Sequence, residues 1–159
     1  SPSRFVHVTL FLSLSTLTLN SAADDGTWHY MLSGDEATIT GCVEIVPDLD
    51  IPAVVDGFKV SEIGASAFKE KGLTSVVIPD SVLLIREGAF EGNILRELSL
   101  PDRLAGLYIG AFKNNYLTSI THPHSVTYIG DHAFEHNNLE SDGSFDVSLV
   151  NFKKRASLY

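Results

Sequence analysis

LTSVVIPDSVLLIREGAFEGN, residues 73–93, is the stretch that decides the fold of this chain. Its opening, LTSVVI, is apolar at the first, fourth and sixth places. Side chains alternate along a strand, so Val76 and Ile78 point inward while Ser75 and Val77 point outward. Pro79 has no amide hydrogen to give to a ladder and ends the strand. The second half, SVLLIREGAFEGN, contributes Val82, Ile85, Ala89 and Phe90 to the same interior.

The stretch repeats with a step of 22 residues. Ala-Phe recurs at Ala67-Phe68, Ala89-Phe90, Ala111-Phe112 and Ala133-Phe134. Leu73, Leu95, Leu117 and Leu139 keep the same phase, as do Pro79, Pro101 and Pro123. So do Ile63, Ile85, Leu107 and Ile129, the triplets Val82, Leu104, Val126 and Val76, Leu98, Ile120, and the polar column Asn93, Asn115, Asn137. A fixed period fixes architecture before any single residue does. One such unit cannot bury its own apolar face, but stacked units cover one another. At about 25 cal/mol per Å² of apolar surface, one Phe and several aliphatic side chains per coil contribute several kcal/mol. That roughly offsets the ordering entropy of the coil, so the array needs several coils and protected ends. The pattern predicts an α/β solenoid of short parallel strands, with each Ala-Phe pair starting a short helical turn. The Asn column is expected to bond backbone groups in the turn between coils. Gly64 and Gly130 follow the aliphatic column, but Arg86 holds that place in the second repeat, so the backbone there needs no positive φ.

The segments LTSVVIPDSVLLIREGAF, LTSITHPHSVTYIGDHAF and IPAVVDGFKVSEIGASAF resemble the BspA-type leucine-rich repeat, also called the Treponema pallidum type. The resemblance covers residues 51–140, and the block DDGTWHYMLSGDEATITGCVEIVPDLDIP is similar to the leader that introduces such arrays. It implies a leucine-rich-repeat solenoid. It also implies a secreted or surface protein of a bacterium or protist, with adhesion to matrix proteins or other cells as the function known for several members. Fold alone does not fix function.

Four segments follow from the pattern. Residues 1–23 read as a secretory signal: Arg4 and His7 lie near the start, Val8–Leu19 is largely apolar, and Ser21 and Ala23 are the small residues before Asp24. Residues 24–50 read as an N-terminal cap with a β-hairpin, in which Trp28, Tyr30 and Leu32 share a face and Ser33-Gly34-Asp35-Glu36 makes the turn. Residues 51–140 form about four coils. Residues 141–159 leave the pattern and read as a C-terminal tail or a truncated end, with an exposed last coil available for self-association.

The 159 residues carry 11 Lys plus Arg against 20 Asp plus Glu, a net charge of −9. So acidic a chain repels phosphate backbones and disfavours nucleic acid as a partner. No later segment is apolar enough to cross a membrane as a helix once the leader is removed. The lone Cys42 excludes an intrachain disulfide and reads as a buried cap residue rather than a reactive thiol. His122, His124, His132 and His136 fall in one repeat but in different columns, which argues against a metal site. Asp24, Asp25, Asp48, Asp50, Asp142 and Asp146 show no calcium-loop spacing and no catalytic pairing. No nucleophile elbow, phosphate loop or dinucleotide fingerprint is present, so no catalytic residue, metal or cofactor is assigned.

What remains is the outward face of the stacked strands: Ser75, Glu97 and Ser119 in one column, Val77, Ser99 and Thr121 in the next, and Thr74, Arg96 and Thr118 at the edge. Ser75, Val77, Arg96, Glu97, Ser99, Ser119 and Thr121 are the candidate binding residues. The function expected is a secreted or cell-surface module that binds a protein or glycan on a cell surface or matrix. The alternatives are a self-assembling surface spacer and, behind it, an enzyme or accessory subunit.

Overall fold

The computed structural model describes residues 8–13, 16–22, 27–121 and 125–139, with side chains described from residue 27 onward. The strands run in chain order as β1 Val8–Ser13, β2 Thr16–Ala22, β3 Trp28–Ser33, β4 Glu36–Cys42, β5 Asp48–Asp50, β6 Val54–Val55 and β7 Phe58–Ile63. There follow β8 Ser75–Val77, β9 Leu84–Ile85, β10 Glu97–Ser99, β11 Gly106–Leu107, β12 Ser119–Thr121 and β13 Tyr128–Ile129.

Two ribbons of strands wrap one core. The longer ribbon begins with the antiparallel strands β1, β2, β3 and β4 and continues in parallel through β7, β9, β11 and β13, while β6 pairs back on β7. The other ribbon joins β5 to β8 and β10 to β12, in parallel and in register at the 22-residue step for β10 and β12. β3 buries alternate residues, Trp28, Tyr30 and Leu32, against the first coil. β1 and β2 fall inside the leader-like stretch, and β2 extends the sheet from β3.

The core is the set of in-phase columns. Phe68, Phe90 and Phe112 are fully buried and Phe134 is 3% exposed. Their rings form one internal stack, with centroids 5.5, 5.1 and 5.8 Å apart and nearly parallel planes. Trp28 of the cap meets Phe68 edge-on at 6.4 Å and so closes the stack from the cap side. Ile63, Ile85, Leu107, Leu73, Leu95 and Leu117 are likewise sealed from solvent.

The expected helical turns are not there; among the described residues the chain forms no helix. The amides around Ala-Phe explain why. Ser66, Phe68 and Glu70 donate to the carbonyls of Glu87, Ala89 and Glu91 in the next coil. Gly88, Phe90 and Gly92 do the same to Ile109, Ala111 and Lys113. A helix would need those amides for its own carbonyls four residues back. The intervening amides, such as Ala89 to Arg86 and Glu91 to Gly88, close tight turns instead. Left-handed residues bracket each turn. Ser66, Gly88, Gly110 and His132 have φ of 56, 59, 63 and 61°, and Glu70, Gly92, Asn114 and His136 have φ of 55, 73, 56 and 56°. Such residues interrupt right-handed helical dihedrals at both ends. Gly64 and Gly130, in the place that Arg86 and Tyr108 occupy elsewhere, are not among the positive-φ residues. At Gly130 the requirement is space: a Cβ would lie 2.6 Å from the Ile109 amide nitrogen.

The asparagine column ties the coils together. Asn115 Nδ2 donates to the carbonyls of Phe90 and Phe112, and its Oδ1 accepts from the Leu95 amide. Asn93 and Asn137 repeat the arrangement one coil to either side. All three are buried, where an unpaired amide would be costly.

Replacing Asn115 by Ala tests this ladder. The Phe90 and Phe112 carbonyls each keep a second asparagine donor, so the loss falls mainly on the stranded Leu95 amide. We expect about 2 kcal/mol of destabilisation, read as a lower urea midpoint at unchanged m-value.

Candidate binding face

The seven residues read from sequence as a binding face are all exposed. Ser75 and Val77 lie on β8, Glu97 and Ser99 on β10, Ser119 and Thr121 on β12, and Arg96 immediately before β10. Glu97 stands beside Ser119, and Ser99 beside Thr121. Val77 is 60% exposed and is the large apolar group on this surface. The inward partners Leu98 and Ile120 are buried, which fixes the outward direction of their neighbours.

The structure adds a row that the repeat pattern did not offer. Asp48 and Asp50 on β5 are exposed and align with Ser75 and Val77. Asp48 accepts hydrogen bonds from the Ser75 hydroxyl at 2.7 Å and the Thr74 hydroxyl at 2.9 Å. Those bonds, Ser75 first, hold its carboxyl below the usual aspartate range. The cap end of the face is therefore acidic, and Arg96 is the cation beside Glu97. The face also has a seam: among the described residues no ladder joins β8 to β10. The backbone bond from Ile94 to the Leu73 carbonyl pins this seam at its start.

Of the other candidates, His132, His136 and Cys42 fall among the described residues. His132 contacts Glu135 at 3.2 Å and His136 contacts Asn114 at 2.8 Å, and no group of three metal-ligating side chains forms among the described residues. His122, His124, Asp24, Asp25, Asp142 and Asp146 lie outside the described residues. Cys42 is half-buried; burial, more than the opposing charge of Lys71, raises its thiol pKa, and the thiol donates to the Glu44 carbonyl. A thiol so placed is protonated and a poor nucleophile.

Residues 59–156 match the model of the BspA-type leucine-rich repeat region in six copies. The chain belongs to the BspA-type leucine-rich repeat family. A leucine-rich repeat protein from Bacteroides ovatus has a similar fold, with a TM-score of 0.59 at 23% identity over 87% of this chain and 34% of that one. The Treponema pallidum leucine-rich repeat protein is 30% identical over 66% of this chain and 51% of its own, also at a TM-score of 0.59. A leucine-rich repeat protein from Bacteroides capillosus is 28% identical over 79% of this chain and 93% of its own, with a TM-score of 0.57. The chain thus spans about a third of the Bacteroides ovatus protein and half of the treponemal one. A search of curated proteins gave no match.

Within this BspA-type array, two further features escaped the columns of apolar residues. Lys69, Glu91, Lys113 and Glu135 stand one coil apart and alternate in sign, with ion pairs of 3.2 Å for Lys69–Glu91 and 2.8 Å for Lys113–Glu135. The alternation keeps the 22-residue step, but it changes sign from coil to coil and so leaves no column of one residue type. On the longer ribbon, Arg86 pairs with Glu62 at 2.9 Å and lies 4.6 Å over the Tyr108 ring, which meets Tyr128 edge-on. No sequence period announces that cluster, since Arg86 and Tyr108 stand in one column and Glu62 and Tyr128 in another, and neither column keeps one residue type from coil to coil.

The charge column makes the array sensitive to acid. The hydrogen bond from Lys113, before any other influence, keeps the Glu135 carboxyl below its ordinary pKa. A carboxyl more acidic in the folded state adds stability above its unfolded pKa and loses it as pH falls through the folded value. Glu135→Gln should flatten the decline in urea midpoint between about pH 5 and pH 3, and added salt should narrow the difference from wild type.

Proposed function

We propose that this chain is the recognition part of a secreted or surface-displayed protein, and that the ribbon of β5, β8, β10 and β12 contacts another protein. The observation that carries the reading is the face itself. Exposed Asp48, Asp50, Ser75, Val77, Glu97, Ser99, Ser119 and Thr121 project from strands that are rigidly set by the buried columns behind them. A rigid surface loses little entropy on binding. Its acidic end favours a partner with basic groups, and Val77 is its apolar anchor. Membership of a leucine-rich repeat family supports binding. Self-association through the last coil turns also on residues 140–159, which lie outside those described.

Immobilised protein exposed to a panel of matrix and cell-surface proteins tests the reading by surface plasmon resonance. We expect saturable binding to a basic partner, weakened about tenfold or more by Val77→Asp, with Glu97→Lys slowing association most at low salt. Binding untouched by both substitutions would remove this face from consideration.

The leader reading has a structural consequence. Release after Ala23 would take β1 and β2 away and leave β3 as an edge strand. Mass measurement of the exported chain is expected to give Asp24 as its first residue; an exported chain that retains β1 and β2 would show them to be part of the cap.

A further inference from the structure

We propose that the groove beside the asparagine ladder is a second site, and that its ligand is a neutral oligosaccharide. The groove has a volume of about 480 Å³ and runs along the stack, across three successive coils. Its inner wall is the buried Asn93, Asn115 and Asn137, whose amides are committed to the coils. Its outer wall is built by two columns: Gly92, Asn114, His136 and Ile94, Tyr116, Asn138. Among the described residues no Asp, Glu, Lys or Arg lines it, in a chain of net charge −9. That composition selects against ions and charged peptides and for an uncharged polar ligand.

One pairing indicates a built site rather than a solvated corner. Asn114 and His136 take the left-handed position that Glu70 and Gly92 hold in the earlier coils, and their side chains engage each other, His136 Nδ1 donating to Asn114 Oδ1 at 2.8 Å. The pair is thereby oriented, with Asn114 Nδ2 as a donor and His136 Nε2 as a second polar atom for a ligand. Tyr116, 52% exposed, and Ile94, 45% exposed, supply apolar surface beside them. Vicinal hydroxyls donate and accept at once, and the C–H face of a sugar ring covers an aromatic ring.

A peptide fits less well. Adding an extended chain to a sheet edge needs unpaired main-chain groups. Here the amides of Ile94, Tyr116 and Asn138 already donate to the carbonyls of Leu73, Leu95 and Leu117.

The test is a titration of the isotope-labelled chain, followed by backbone amide NMR, with a cello-oligosaccharide, a mannan fragment and a chito-oligosaccharide. A pool of uncharged peptides serves as the comparison. We expect saturable shifts at Asn114, Tyr116 and His136 with one of the saccharides, at a Kd of about 1 mM or tighter. Asn114→Gly keeps the backbone that Gly92 already adopts, so it should leave the fold intact and weaken binding about tenfold, as should Tyr116→Ala. Val77→Asp, on the protein-binding face, should leave the saccharide titration unchanged. Three results would overturn the proposal: no saturation by about 10 mM with any saccharide, shifts confined to other residues, or groove amides that respond only to the peptides.

Discussion

Phe90 performs three tasks at one position. Its ring is stacked between Phe68 and Phe112, its amide donates to Ala111 in the next coil, and its carbonyl accepts from both Asn93 and Asn115. Ring, donor and acceptor all set the same intercoil distance. A change in the spacing of two coils would break all three contacts together, which is why the stack is specified so sharply. Phe112 repeats the arrangement, with Asn115 and Asn137 on its carbonyl. The rest of the molecule depends on this joint. The short strands of both ribbons are two or three residues long from β8 onward and would not hold a register alone.

The turn around Ala-Phe is shaped by the same demand. Its amides face the next coil because the intercoil ladder uses them, and the left-handed residues on either side aim them there. A helical turn would satisfy the chain locally but would leave the neighbouring carbonyls of Glu87, Ala89 and Glu91 without these donors. Local preference gives way to a tertiary bond here, and the backbone strain at Ser66, Glu70, Asn114, His132 and His136 is the energetic trace of it.

Outside this joint the surfaces diverge in chemistry. The ribbon of β5, β8, β10 and β12 presents small polar residues with carboxylates at the cap end. The longer ribbon packs Tyr108 and Tyr128 beside Gly106, where a Cβ would lie 3.2 Å from Leu84 Cδ2, and sets Arg86 over the Tyr108 ring. The groove lined by Gly92, Ile94, Asn114, Tyr116, His136 and Asn138 has no charged side chain among the described residues. One repeat therefore offers several surfaces whose chemistry varies independently, because only the inward positions are held by packing.

The sequence by itself determined the period, the inward columns and the outward direction of Ser75, Val77, Glu97, Ser99, Ser119 and Thr121. Burial demands the same residue type at the same phase in each coil, and that demand leaves a visible repeat. The alternation of Trp28, Tyr30 and Leu32 was legible for the same reason. Tertiary structure alone decided the non-helical turn, the seam between β8 and β10, the alignment of Asp48 and Asp50 with the face, and the Asn114–His136 pair. The turn is set by backbone bonds between coils, which leave no side-chain signature, and the others involve exposed positions on different strands and coils. Solvent tolerates many residue types there, so no composition or period records the contact until the coils are stacked.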